Sequence, residues 1–375
     1  VETALARNSV PTPAPAAEPR DAAYWRAEYQ TASKELEKLR KQATATEILV
    51  SEAKSLAPLA YSPAPPVSIV RKTGKSSPQS AVLLLSDTHV GAVVKPEQTC
   101  GYGKYDFLTF LRRLKRLEDS VVSILQDHTT TPVSELVIPI LGDCLDGALT
   151  HGSEAGQVNT LFSQFYAAGH ALSQFIRNLS AVVPAIRIYC VVGNHPRLPS
   201  QHKMPTKNRF SNLDGFLMAY VQALLRDVPK VSFTLNRQPF TEFKVQGYTF
   251  LASHGDHMRG GDKALGIPAH ALGRSVSFNS QIRLKTEQAG INYYVLGHFH
   301  RPMQIPHALG SILVNGAFVG VDEFGLTESF TPCPPVQKFF LMHPTFGMSA
   351  TYDLNLAFAK TDGTPYEIPG EFPMQ

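Results

Sequence analysis

Residues 136–146 read LVIPILGDCLD: six apolar residues, a glycine, then two carboxylates three positions apart. A run this short and this apolar predicts a strand buried on both faces, and the glycine allows a sharp turn at its carboxyl end. The same grammar recurs four times. AVLLLS (81–86) leads into Asp87-Thr88-His89, and RIYCVV (187–192) leads into Gly193-Asn194-His195. YTFLAS (248–253) leads into His254-Gly255-Asp256, and NYYVL (292–296) leads into Gly297-His298-Phe299-His300. Strands ending this way gather carboxylate, imidazole and amide groups in one crevice at the strand carboxyl ends, where open α/β sheets bind ligands. A lone strand-end His or Asp is most often a turn or cap residue. Five such clusters in order make that reading poor. Their mixed ligand types suit Mn, Fe or Zn better than Ca or Mg.

Between the strands near 81–85, 135–141 and 186–192 the apolar spacing switches to that of amphipathic helices. One is expected near 105–127 (Phe107, Phe110, Leu111, Leu114, Leu117, Val121, Ile124), one near 155–179 and one near 212–226. After Val231 the chain turns strand-rich, with runs near 241–253, 292–297, 301–306, 310–315 and 336–342. The expected fold is an α/β sandwich spanning residues 80–345, followed by a C-terminal extension (346–375).

Upstream, residues 1–20 are Ala- and Pro-rich and are expected to be a disordered tail. Within 21–50, Trp25, Tyr29, Ala32, Leu36, Leu39 and Ala43 recur at spacings of three and four. That predicts an N-terminal helical extension at 22–43, either packed on its own domain or joining copies as a short coiled coil in a homo-oligomer. Residues 51–79 form a Pro/Ser-rich linker whose Lys54, Arg71, Lys72 and Lys75 make it basic.

With 375 residues, 43% of them hydrophobic and 18% charged, the chain can bury a large core and is not a disordered polyelectrolyte. A net charge of +4 confines any nucleic-acid contact to local basic patches. Cys100, Cys144, Cys190 and Cys333 form no CxxC pair, so they read as reduced thiols and Cys144 as a small buried filler. The longest apolar runs are too short for a membrane span and residues 1–20 lack signal-peptide order. The expectation is a cytoplasmic protein with no membrane partner, in the host cytoplasm if it is phage-encoded.

The ordered blocks DTH, GDCLD, GNH, HGD and GHFH resemble those of the calcineurin-like metallophosphoesterase superfamily over residues 80–320. That resemblance implies a four-layer α/β/β/α sandwich and two divalent metal ions, Mn first, with Fe or Zn as alternatives. By it, Asp87, His89 and His300 would hold one metal, Asn194, His254 and His298 the other, with Asp143 bridging. His195 would be the catalytic histidine that protonates the leaving oxygen. Asp146, read from its own position, either supports the site from behind or caps a helix. One departure stands out: Pro196 follows the GNH block, where the superfamily often has an acid.

The stretch after it, PRLPSQHKMPTKNRF, carries Arg197, Lys203, Lys207 and Arg209 and no acid, which suits a polyanion, though a solvated loop is its plainer reading. His257 and Arg259 in the glycine-rich stretch 254–274, and His151 past the GDCLDG turn, are further candidate phosphate contacts. Phe210, Phe278 and Phe299 are either core or base-stacking residues. GHFHRP (297–302) resembles the DNA-repair exonuclease branch of the superfamily, and VNGAFVGVDEFG (314–325) resembles phage- and prophage-encoded members. The expected activity is a two-metal phosphodiester hydrolase acting on nucleic acid, DNA before RNA. The alternatives are a phosphatase or phosphodiesterase of a nucleotide or phosphoprotein, and a non-catalytic scaffold.

Overall fold

The computed structural model describes residues 23, 26–37, 78–129, 131–147, 161–197, 212–235, 238–258, 267–327, 333–359 and 365–368. Residues 1–70 and 71–375 form separate compact units. In the first, residues 26–37 are helical (α1), and their side chains, including Tyr29 and Leu36, are exposed. The rest of the expected 22–43 stripe, the 1–20 tail and most of the 51–79 linker lie outside the described residues.

The second unit starts as a run of strand–helix–strand units: β1 (Gln79–Leu83), α2 (Phe107–Ser123), β2 (Val133–Ile140), α3 (Leu161–Ser180), β3 (Ile186–Cys190), α4 (Leu213–Leu224) and β4 (Val231–Leu235). Strands β1 to β4 pair in parallel and in sequence order. Right-handed crossovers that always advance the same way put every helix on one face of the sheet. The other face is left for a second sheet. The first sheet is completed by β10 (Val336–His343), antiparallel to β1, and β11 (Gly347–Asn355), antiparallel to β10. The second sheet has the order β5-β6-β7-β9-β8, from β5 (Thr241–Val245), β6 (Tyr248–Ser253), β7 (Tyr293–Leu296), β8 (Met303–His307) and β9 (Gly310–Val314). Helix α5 (Ala269–Lys285) crosses between β6 and β7, and the short α6 (Glu323–Thr327) follows β9.

Three buried clusters define four layers. Ala81, Leu83 and Leu85 share the first with α2, α3 and α4. The alternate residues Val82 and Leu84 share the second with Phe243, Phe250, Val295 and Leu313, between the sheets. Tyr294, Leu296, Ile312 and Val314 share the third with Leu272 of α5. Strand side chains alternate between faces, so β1 serves two cores at once. The architecture is therefore the expected α/β/β/α sandwich.

Helix α2 is set by its sequence: Asp106 caps it by accepting a hydrogen bond from the Thr109 N–H, and the expected apolar stripe is buried. Three features depart from the expected elements. The run 241–253 is a hairpin, because Gln246 and Gly247 both take positive φ (50° and 85°), as a two-residue turn requires. From Ala269 the glycine-rich stretch 254–274 is helical; α5 buries little beyond Leu272, so its sequence carries no clear apolar stripe. The expected 346–375 extension supplies β11, and Tyr366 is buried with its hydroxyl donating to Glu118 (2.8 Å), so the domain does not stop at residue 345.

Phe175 of α3 is completely buried between helices and sheet. Phe175→Ala is expected to lower unfolding free energy by about 3–5 kcal/mol. Urea denaturation of the metal-free protein measures it, and a loss below about 1 kcal/mol would count against that packing.

Candidate metal centre

All five strand-end clusters converge at one edge of the sandwich. Leu85 bridges to Ile140 and Val90 to Leu145, which locks the DTH loop against the GDCLD loop. The Asp87 N–H donates to the Gly142 carbonyl (3.0 Å) and the His89 N–H to the Asp143 carbonyl (3.1 Å). The GDCLD and GNH loops meet backbone to backbone: a Cβ at Gly142 would lie 2.5 Å from the Gly193 nitrogen. Only glycine permits that approach. Asp87, His89, Asp143, His298 and His300 all hold positive φ, between 41° and 71°. Such backbone costs about 1–3 kcal/mol per residue and is held only where the surroundings over-determine it.

Asp87, His89 and His300 form one group and Asp143, His254 and His298 a second, with candidate ligand atoms within 4.8 Å of one another in each. In the first, His300 Nε2 lies 3.4 Å from Asp87 Oδ1 and 3.1 Å from His89 Nε2. In the second, His254 Nε2 lies 3.0 Å from both Asp143 Oδ2 and Asn194 Oδ1. His195 is placed beside Asp146, its Nδ1 3.3 Å from that residue's carbonyl and 3.6 Å from Oδ1. The ring of His195 stands edge-on to His89, with centroids 4.5 Å apart.

The donors fit divalent cations. His254 Nδ1 sits 2.7 Å from the Leu141 carbonyl, which can only accept, so Nδ1 carries hydrogen and Nε2 offers its lone pair. That lone pair, a carboxylate oxygen and an amide oxygen then point at one another, an arrangement that calls for a positive charge between them. Without a cation a proton serves. Burial opposes the charged imidazole, yet the Asp143 carboxylate outweighs it and lifts the His254 pKa to about 10. His89 shares the tautomer but not the raised pKa: Nδ1 lies 3.3 Å from Asp146 Oδ1 and Nε2 turns toward His300, while burial, then the charge of His195, lower its pKa. In His298 burial, then the charge of His254, press the pKa down to about 4, so it is already a neutral donor.

Cation uptake must therefore expel the His254 proton. Below pH 10 that proton is present in the metal-free protein, so Mn²⁺ affinity should rise with pH, by up to about tenfold per unit between pH 6 and 9. Calorimetric titrations in buffers of different ionisation enthalpy would show the released proton. Affinity independent of pH would contradict a protonated His254.

The candidate donors also fasten the loops: the Asp87 carboxylate accepts the His298 N–H (3.1 Å to each oxygen) and Asp143 Oδ1 accepts the His195 N–H (2.8 Å). His195 is opposed by burial but raised by Asp146 and Asp143 to about 9, so it is protonated at neutral pH. The residue after GNH, Pro196, offers His195 no charge, and the carboxylate beside that ring is Asp146. Cys144 is fully buried, and burial pushes its thiol pKa up, which keeps it inert.

The expected substrate contacts fare unevenly. Arg197 is tied to Asp256 (2.6 Å) and largely buried, so it braces the GNH loop against the HGD loop and is not an open cation. His257 is exposed and packs edge-on against Phe240. Phe299 packs on His298, and Phe278 is 63% exposed on α5. His151, Lys203, Lys207, Arg209, Phe210 and Arg259 lie outside the described residues.

Two elements had no sequence signal. Asn212 and Asp214, at the start of α4, reach into the GDCLD and GNH loops, and burial followed by the Asp143 charge lifts the Asp214 carboxyl to about 6. Asn315 donates to Ser86 Oγ (2.9 Å) and to Gln337 Oε1 (2.8 Å), which in turn accepts the Ser86 N–H (3.0 Å). This fully buried trio ties the two sheets together just behind Asp87.

No protein-family model matches the chain, and no curated protein does. Solved structures similar to it include a conserved uncharacterized protein from Streptococcus pneumoniae TIGR4, described as a predicted phosphoesterase (10% identity, 72% of this chain and 86% of that one, TM-score 0.29). Others are Vps29 with Zn²⁺ from Entamoeba histolytica (10%, 73% and 99%, 0.31) and an archaeal phosphodiesterase (10%, 69% and 92%, 0.30). No described helix is long and apolar enough to cross a membrane.

Proposed function

We propose that the chain is a metal-dependent phosphoester hydrolase of the calcineurin-like kind, acting on phosphodiesters and, most specifically, on DNA. The observation that carries the reading is the pairing of two Asp/His groups with His195, which stands edge-on to His89 and is held by the Asp146 carbonyl. Asp87, His89 and His300 would hold one divalent cation, and Asn194, His254 and His298 the other, with Asp143 shared. Bound there, two such cations supply the charge that polarises a phosphoryl oxygen and acidifies water. The donor set of carboxylate, amide and imidazole suits Mn, with Fe and Zn next.

The protein's own residues do the rest. Because the Asp146 carbonyl only accepts, His195 carries hydrogen on Nδ1, and Nε2 presents the transferable proton. At neutral pH Nε2–H can be handed to the departing oxygen, and a histidine so poised is the common general acid for a poor leaving group. Asp146 holds that imidazole and His89 in one orientation from a single carboxylate.

A polyanionic substrate is supported by the sequence 196–210, which after the pairing of Arg197 keeps Lys203, Lys207 and Arg209 with no acid. The test is Mn-dependent hydrolysis of labelled single- and double-stranded DNA beside bis-p-nitrophenyl phosphate, with Asp143→Ala as control. DNA cleavage by wild type alone supports the nuclease reading. Hydrolysis of the small diester with intact DNA moves the substrate to a nucleotide or phosphoprotein. Silence on both supports a scaffold.

A further inference from the structure

We propose that Asn212 and Asp214 form a clamp that sets the spacing of the two metal-holding loops, with Asp214 as a positioning residue for the Asp143 and Asn194 ligands. The inference rests on the two-metal reading and adds a residue to it.

The Asp214 carboxylate is 1% exposed and touches no ligand side chain in its hydrogen bonds. Its Oδ2 accepts the N–H of Asp143 (2.9 Å) and the N–H of Gly193 (2.9 Å), while Oδ1 accepts the N–H of Cys144 (3.0 Å). One oxygen thus joins the backbone of the GDCLD loop to that of the GNH loop, which are 50 residues apart in sequence (Asp143 and Gly193). Asn212 completes the frame. Its Oδ1 accepts the Asp214 N–H (2.8 Å), and its Nδ2 donates to the Gly193 carbonyl (2.8 Å). The start of α4 is itself seated on the GNH loop, since the Leu213 N–H donates to the Pro196 carbonyl (2.9 Å).

The consequence is geometric and electrostatic. Asp143 holds φ at +53°, a conformation a free loop would leave. Bonds to its own N–H and to that of Cys144 keep it there. Gly193 is held on both its N–H and its carbonyl, so Asn194 leaves the clamp in a set direction. A carboxylate bound by three N–H groups also places negative charge directly behind the cations. Partners of metal ligands typically change metal affinity by about 10–100-fold when altered.

Asp214→Asn is nearly isosteric, but its amide can accept on one side only, so at least one of the three buried N–H groups meets an NH₂. Calorimetric titration with Mn²⁺ alone should show affinity weakened about 10–100-fold. Turnover of bis-p-nitrophenyl phosphate should fall and recover as Mn²⁺ is raised, with the near-ultraviolet circular dichroism of the metal-free variant unchanged. Glu118→Gln is the control for destabilisation, because Glu118 is buried with Asn178 and Tyr366 as partners and has no bond to the site. Should Asp214→Asn fail to fold by near-ultraviolet circular dichroism, Asn212→Ser serves in its place. It keeps an oxygen for the Asp214 N–H and loses the tether to Gly193, and must weaken Mn²⁺ binding too. Wild-type Mn²⁺ affinity in the folded clamp variant overturns the inference, as does equal weakening by Glu118→Gln. Absence of Mn²⁺ binding by the wild-type protein would remove the two-metal reading itself.

Discussion

Asp143→Ala is expected to abolish hydrolysis, by about 10⁴-fold or more, which corresponds to ~5.4 kcal/mol of transition-state stabilisation. The size follows from how much one carboxylate does. Oδ2 faces His254 Nε2 at 3.0 Å, and Oδ1 accepts the His195 N–H at 2.8 Å. Without it the second group loses its only charged oxygen, and His254 loses the partner that makes its site attractive to positive charge. His195 loses the anchor of its backbone and one source of its raised pKa. Mn²⁺ titration and turnover should fail together. Turnover within about tenfold of wild type would remove Asp143 from the shared-ligand position.

His195→Ala is the second large effect and has a different signature. No ligand of either group is touched, so Mn²⁺ stoichiometry should stay as in wild type. Hydrolysis should slow by about 10²–10⁴-fold, the usual worth of a positioned general acid. The loss should be greatest for DNA, whose leaving alkoxide needs a proton, and smallest for bis-p-nitrophenyl phosphate, whose phenolate leaves readily unaided. The informative quantity is the ratio of the two losses. If both substrates suffer alike, His195 binds phosphate without giving up a proton.

The residues behind these two expectations stand in local blocks of sequence. A buried strand must end in a turn, so Asp87, His89, Asp143, Asn194, His195, His254, His298 and His300 announce themselves by standing after apolar runs. The amphipathic stripe of α2 announced itself likewise, because one face of that helix meets the core. Helix α5 did not, since burying little beyond Leu272 places few demands on its composition. The 246–247 turn lies inside a strand-like stretch, TEFKVQGYTF, and lacks the usual Asn-Gly or Asp-Gly signal.

From sequence alone came the α/β class, the order of the strands that bear the site, and the chemistry of the donors. Only the tertiary structure decided which donors share a group, that Asp146 serves His89 and His195 together, and that Arg197 is spent on Asp256. It alone shows Asp214 beneath Asp143 and Gly193, 71 and 21 residues away. The physical reason is the range of the forces. Apolar periodicity and turn preference act between neighbours along the chain and leave a pattern in sequence. Hydrogen bonds from buried backbone N–H groups can be met by any carboxylate the fold delivers, so they leave none.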